Sequence, residues 1–451
     1  MSLDTRNTLA PKILGAWQTS SVVVGMVVGA GIFRSASEVA ANLPSPAWVM
    51  LAWMVGGVFA LAGALVYAEL TTAFPHPGGD YRFLREAFGG TVAWIFAWSR
   101  FAIVFTASAS MLAFVATDYL AQLVPMSGMT RALLAAALII GLTALNLRGL
   151  QTSARIQVVL VTTDVLALLA IGAAAVSFSI DGQASSVSTV APGGQGFNLG
   201  AALVFVMLAY GGFNDSATLS SEVRTPREMT RAMVGGMSAV TILYLFATWG
   251  YLRVLGLAGL AQSDAPAADV MAIAFGPVGE TLMVIAVTIA ALAILNALLI
   301  VGGRTLYAAA EDEPALQQLA VWDSRRHVPT AAVLTQGIVS LLLVGLGAWR
   351  GTGFSAMVDY MAPVYWLFLA LTGLALIRLR KLRPTAERPY RVPLYPVIPL
   401  VFTAGCAYVF WSSVVYVGWI GCALSFGVLA AGLLGRSALR SWHRKRSISQ
   451  D

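Results

Sequence analysis

The sequence predicts an all-α integral membrane protein with roughly twelve transmembrane helices, of which the first and the sixth are discontinuous. Three observations predict it. Of the 451 residues, 58% are hydrophobic and only 11% are charged, whereas a soluble chain carries about a quarter of its residues as charges. Apolar runs of about 20 residues, each long enough to cross a bilayer, recur from one end of the chain to the other. Two of these runs are interrupted near their middle by glycines, at Gly25–Phe33 (Gly25, Gly29 and Gly31) and at Tyr210-Gly211-Gly212-Phe213-Asn214.

The apolar runs centre near Val27, Val58, Val104, Leu138, Ala167, Met207, Leu243, Ala290, Ser340, Leu369, Ala407 and Val428. Residues 1–12 form a short polar tail. The run that follows lacks a small-residue cleavage site and continues into the first break, so it reads as a retained helix rather than a signal peptide. Breaks in helices one and six divide the chain into a five-helix repeat over 13–178 and a second over 199–380 related to it by inversion. Two extra helices over 395–435 and a basic tail over 436–451 follow. The Ser- and Gly-rich stretch Ser179–Asn198 reads as a loop. Phe74–Arg82 is a turn-rich connection after helix two, and Arg82–Phe88 continues it as a short helix. Pro226, after helix six, suits the first turn of helix seven.

The cations fix the orientation. With the N-terminus inside, the cytoplasmic connections and tails hold clusters such as Arg82 and Arg85, Arg224 to Arg231, Arg378 to Arg391 and Arg436 to Arg446. The outer connections hold only Arg131, Arg253 and Arg350. That asymmetry places both termini in the cytoplasm of a multi-pass protein of the cytoplasmic membrane. The net charge of +7 is therefore topological. The basic tail suits anionic lipid headgroups rather than nucleic acid. The two cysteines, Cys406 and Cys422, fall in the last two apolar segments and imply no disulfide framework. The three histidines lie in connections or the tail and show no metal-ligand spacing. No metal or other cofactor is expected, and an integral-membrane oxidoreductase is disfavoured.

Each glycine weakens a helix by about 1 kcal/mol relative to alanine. Freed backbone groups at membrane depth must face protein or a wet cavity. After Gly29–Gly31 the first helix resumes near Ile32, and its free amides and positive dipole end suit a carboxylate. The preceding half-helices end near Val28 and near Ala209–Tyr210, and their carbonyls would accept from an ammonium. Val28, Gly29, Ala30, Gly31 and Ile32, with Ala209, Tyr210, Gly211, Gly212 and Phe213, are thus the candidate substrate site for a zwitterion. The alternative is that the glycines only permit close helix packing. Phe213 and Tyr210 are candidates for an aromatic gate, with core packing as the alternative. Asn214 and Asp215 follow where a new half-helix starts, and an N-cap accounts for one of them. Recognition of a cationic substrate by Asp215 is the other reading. Asp164 lies inside the fifth helix, about ten residues from its cytoplasmic end. At that depth a carboxylate should face the interior and be paired or protonated. Glu69 is buried in the second helix, Arg34 follows the first break, and Glu222, Arg224 and Arg227 stand at the exit of helix six.

These residues resemble the amino acid–polyamine–organocation (APC) superfamily of transporters. Gly25–Phe33 is similar to that family's first-helix signature. Tyr67-Ala-Glu69-Leu70, Pro77-Gly78-Gly79-Asp80-Tyr81 and Ala87-Phe88-Gly89 resemble its second helix and loop. Ala209–Phe213 with Glu222, Pro226 and Arg227 resembles its sixth helix and exit. Asn296, Gly303, Arg304, Tyr307, Ala308 and Pro329 resemble its eighth helix and loop. The double glycine of helix six is nearest the L-type amino-acid transporter branch. The resemblance spans roughly residues 12–435 and implies a LeuT-like 5+5 inverted-repeat fold and transport of amino acids or related amines. It makes Glu69 a structural hydrogen-bond anchor. Many sodium-independent members carry a lysine where Asp164 stands, so this chain departs from that pattern. Asp164 could exchange a proton, coordinate sodium, or be a structural acid; Ala290–Leu295 offers no hydroxyl beside Asn296, which argues against sodium. The eukaryotic L-type carriers are joined to a single-span heavy subunit by a disulfide from the loop after helix three. Leu120–Arg131 has no cysteine here, so no such partner is expected.

The sequence therefore reads as a secondary active transporter of amino acids working by alternating access, by exchange or proton coupling, and not as an enzyme. A polyamine or organic-cation transporter is the alternative. A channel or receptor is the reading from a different class, and the chain shows no continuous polar face to support it.

Overall fold

The computed structural model describes residues 15–76, 78–148, 154–180, 197–221, 223–311, 316–323 and 328–448. Among them every element of secondary structure longer than a single bridge is a helix. The first span is two helices, α1 (Ala16–Val27) and α2 (Ala30–Ala41), bent by 40° at the gap between them. α3 (Pro46–Ala73) is the second, started by Ser45 and by Pro46 in its first turn. A short helix, α4 (Asp80–Phe88), leads into the third span. That span joins α5 (Gly90–Ser99) and α6 (Thr106–Leu123) through a π-helical turn, Arg100–Phe105. Then come α7 (Gly128–Leu147), α8 (Ala154–Ile180) and α9 (Leu199–Ala209), the last continuing after a turn as a 3₁₀ helix, Phe213–Ser221. α10 (Pro226–Gln262), opened by a Thr225–Glu228 capping box, is followed by α11 (Pro266–Glu311), α12 (Thr330–Arg350), α13 (Gly353–Leu382) and α14 (Val397–Ile448). α10, α11 and α14 turn at Gly256, Gly276 and Gly418, which have positive φ.

Among the described residues, nine helical segments are long and apolar enough to cross a membrane, and the bent α1–α2 pair, counted as one span, makes a tenth. Val161–Ser177 within α8 and Gly421–Ser437 within α14 are shorter apolar stretches. All the expected segment centres fall on these helices. The distribution of apolar side chains fits a lipid solvent. Val58, Leu133, Ile242, Leu342 and Trp411 each stand more than half exposed on the outside of the bundle, where a soluble protein would place charge. This is a multi-pass membrane protein. α10 runs through the middle of the bundle, packed on α1, α2, α3 and α8, while α11 packs on α6 and α8.

The face at which α1 begins, called here the N-terminal face, is fastened by Glu69. This residue is fully buried near the end of α3. Arg380 of α13 grips it with Nε at 2.8 Å and a second nitrogen at 2.5 Å. Arg388 stands at 3.4 Å, and the Val392 amide donates to it at 2.7 Å. One carboxylate thus ties α3 to α13 and to the connection beyond it. Glu69→Gln leaves two guanidiniums beside a neutral amide, a loss of about 3–5 kcal/mol for a broken buried pair. The expected result is a melting temperature several degrees lower for the detergent-purified protein. A Glu69→Gln protein that melts like the wild type would contradict it.

Candidate functional site

Two interruptions of the backbone meet inside the bundle. In the first span, α1 ends at Val27 and α2 begins at Ala30, with Val28 and Gly29 between them. Gly29 is extended, at φ −143° and ψ 178°, and no side chain caps the start of α2. The first amides of a helix have no intrahelical acceptor, so this end offers donors and the positive end of the helix dipole. A Cβ at Gly31 would meet nothing within 4 Å, whereas one at Gly29 would lie 2.8 Å from Ile294 Cδ1. The open side of the break therefore lies at Gly31. The side chains of Val28 and Ile32 are fully buried; that of Ala30 lies outside the described set.

In the sixth span, α9 ends at Ala209, Tyr210 and Gly211 turn, and Gly212 has φ +97°. A Cβ on Gly212 would sit 2.0 Å from the Met26 carbonyl oxygen. Both the left-handed backbone and this approach require glycine. Main chain therefore touches main chain where the two broken spans cross.

Two tyrosines from other helices complete the junction. The Tyr244 hydroxyl, from α10, lies 3.0 Å from the Val27 carbonyl and 3.1 Å from the Ala209 carbonyl. Its single proton is shared between the C-terminal ends of both half-helices. The Tyr365 hydroxyl, from α13, accepts from the Gly212 amide at 3.2 Å and donates to Asn214 Oδ1 at 2.9 Å. Asp164 is buried on α8, 3% exposed, and its charge faces Tyr244. Among the described residues its carboxylate has no hydrogen-bond or ion-pair partner. The third span adds Arg100, buried in the π-helical turn, which forms an ion pair with Asp215.

The structure thus brings 28–32, 209–213 and Asp164 into one neighbourhood. Other candidates lie elsewhere. Glu69 belongs to the arginine cluster described above. Arg34 binds the Ser263 carbonyl at 2.9 Å and Asp264 at 2.8 Å, at the opposite face. Glu222 is outside the described residues, and Arg224 and Arg227 are exposed. The expected N-cap is corrected. Asn214 donates to Asp80 and Asp215 and accepts from Tyr365, while Asp215 turns to Arg100; neither caps the 3₁₀ helix. The rings of Tyr210 and Phe213 are buried among other aromatic rings. Tyr210 lies against Trp53 and Tyr244, and Phe213 against Tyr67 and Phe402. Sequence reading passed over Tyr244, Tyr365 and Arg100. The available signal was a lone polar group inside an apolar run, which needs a buried partner.

A membrane-embedded pair of broken helices, with bare backbone ends converging at their crossing, defines a carrier of small polar solutes. The chain belongs to the Amino acid permease family, whose pattern its residues 14–432 match. It is 27% identical over 412 residues to the b(0,+)-type amino acid transporter 1 of Mus musculus, covering 89% of this chain and 82% of that one. It is 25% identical over 437 residues to the serine/threonine exchanger SteT of Bacillus subtilis (strain 168), covering 96% and 97%. A third relative is the large neutral amino acids transporter small subunit 2 of Rattus norvegicus, 27% identical over 442 residues and covering 94% and 80%.

Tyr244→Phe keeps the ring in place and removes the proton shared by the two carbonyls. A buried acceptor left without a donor costs about 1–3 kcal/mol. An ammonium that takes the place of this donor meets less competition, so the expected outcome is a folded protein that melts lower without ligand and whose half-saturating amino-acid concentration in liposome counterflow falls about tenfold, since 1.4 kcal/mol is a factor of ten. Wild-type counterflow in this variant would show that the bridge is dispensable.

Proposed function

We propose that the protein carries a zwitterionic α-amino acid across the cytoplasmic membrane by alternating access, with both termini in the cytoplasm. The observation that carries the reading is the meeting of the two breaks. The uncapped start of α2 offers amide donors and a positive dipole end to the α-carboxylate. The ends of α1 and α9 offer the Val27 and Ala209 carbonyls to the α-ammonium, in place of the Tyr244 hydroxyl. Recognition by backbone leaves the substrate side chain to the open space at Gly31. The excess of arginine on the connections of the N-terminal face supports the orientation.

An amino acid suits this junction better than a polyamine does. Asp215, the acid beside the second break, is already neutralised by Arg100. It therefore has no free charge for a second ammonium. Names among the relatives, a serine/threonine exchanger and a large neutral amino acids transporter, point the same way, and the first supports exchange as the transport mode. Neither cysteine lies in the connection between α6 and α7, where a covalently joined second chain would attach. The protein is therefore read as working without one.

Asp164 is the coupling group in this reading. It is buried, without a cation partner, and faces the tyrosine that bridges both half-helices. Its proton state thereby acts on the carbonyls that receive the ammonium. Counterflow of radiolabelled leucine, arginine and putrescine in liposomes tests the substrate class, and saturable exchange of leucine but not putrescine is expected. With separately imposed proton and sodium gradients, Asp164→Asn should abolish the response to the proton gradient. A gradient response unchanged in that variant would remove Asp164 from the coupling role.

A further inference from the structure

Toward the N-terminal face from the second break lies a small cavity lined in part by Asp80, Arg100, Asn214 and Tyr365. Asp80 opens α4 in the connection between the second and third spans. It is 6% exposed. The Tyr67 hydroxyl of α3 donates to it at 2.6 Å, and Asn214 Nδ2 stands 3.4 Å from its other oxygen. The same Nδ2 donates to Asp215 at 3.1 Å. The Arg100 guanidinium lies 4.3 Å over the Phe105 ring and pairs with Asp215.

The charges in this cluster do not balance. It contains two carboxylates and one guanidinium, and the guanidinium is taken by Asp215. Asp215 is also the wetter of the two acids, its side chain one-third exposed at 33%. Asp80 is dry and held only by neutral donors. An ionised carboxylate in that position costs several kcal/mol, and the simplest relief is a proton. The groups that face Asp80 are Tyr67 from α3, Arg100 from the π-helical turn, Asp215 and Asn214 from the 3₁₀ helix, and Tyr365 from α13. Burial is the largest influence and pushes the Asp80 carboxyl up to about 6. The Tyr67 hydrogen bond and Arg100 oppose this, and Asp215 reinforces it.

We propose that Asp80 is a proton-binding site, separate from Asp164, whose occupancy holds the Phe213–Ser221 helix closed against α4 and the third span. The proton comes from solvent and converts the carboxylate to the neutral acid; the Tyr67 hydroxyl can then turn to accept from it. Separation of Phe213–Ser221 from α4 wets Asp80, returns it to the ordinary carboxylate range and releases the proton to that face. Closure therefore takes up one proton. Because closure raises the pKa, protons favour the closed form: the gain is full below the ordinary carboxylate value of 3.8, shrinks as pH rises above it and is gone above about 6. The inference rests on the transport reading only in taking Phe213–Ser221 as a moving element.

Hydrogen–deuterium exchange of the full chain in liposomes tests this without requiring transport. Rates are normalised to intrinsic exchange between about pH 5 and pH 8. Peptides covering 213–221 should be protected at low pH and lose protection as pH rises, with the loss levelling off near 6; that break point is the midpoint compared between variants. Asp80→Asn should abolish the midpoint. Asp215→Asn frees Arg100 for Asp80 and removes a repelling charge, so the midpoint should fall by roughly one pH unit. This second variant carries the test alone if Asp80→Asn does not fold. A midpoint retained in Asp80→Asn, or unmoved or raised in Asp215→Asn, would overturn the proposal. So would a midpoint that shifts when sodium is exchanged for potassium or choline at fixed pH, which would assign the site to a metal cation. If the midpoints behave as stated but no variant or wild type shows counterflow, the transport reading fails and the proton site stands.

Discussion

The arrangement depends on one contact, the approach of Gly212 to the Met26 carbonyl. A transmembrane helix can be interrupted at depth only if its freed amides and carbonyls find partners inside the protein. Here each broken span supplies part of the other's environment. The residue at the crossing can have no Cβ, and its φ of +97° suits glycine for a second, independent reason. Tyr244 and Tyr365 then supply the hydroxyls that the two backbones cannot supply to each other. One serves carbonyl ends and the other serves an amide. The carbonyl ends of both half-helices are thereby satisfied by Tyr244 without any ligand.

Much of this was legible in the amino-acid sequence, for physical reasons that differ by residue. Hydropathy located the apolar segments because bilayer thickness sets a length that few other structures need. The breaks were legible because glycine inside a membrane helix is costly unless it serves a close approach. Tyr244, Tyr365 and Arg100 were not. Each is a single polar residue in an apolar run, and what it binds is decided by packing against a segment distant in sequence; Tyr365 reaches Asn214 across 151 positions. Asn214 and Asp215 show the reverse failure. The local rule for residues that start a half-helix pointed to a cap, but tertiary partners of opposite charge and matching polarity outcompeted the local bond. Phe213 and Tyr210 flank the break in sequence, yet an aromatic ring serves a gate or a core equally well. Only the positions of Phe402, Tyr67 and Trp53 decide where these rings lie.

The buried acids divide into two kinds by their partners. Glu69 and Asp215 each contact arginine. These two acids hold elements in place: α3 to α13 in one case, the third span to the sixth in the other. Asp164 and Asp80 have no cation in hydrogen-bond contact. Each is instead one step from a break through a neutral residue. Asp164 faces Tyr244, and Asp80 reaches Tyr365 and the Gly212 amide through Asn214. Asp164, which stands where the resemblance places a lysine in many sodium-independent members, thus fits a wider pattern in this chain. Where a lysine would hold a permanent positive charge beside the carbonyl ends, a carboxyl group has two protonation states. Each break therefore has a tyrosine to satisfy its backbone and, one residue further out, a buried carboxyl without an arginine partner.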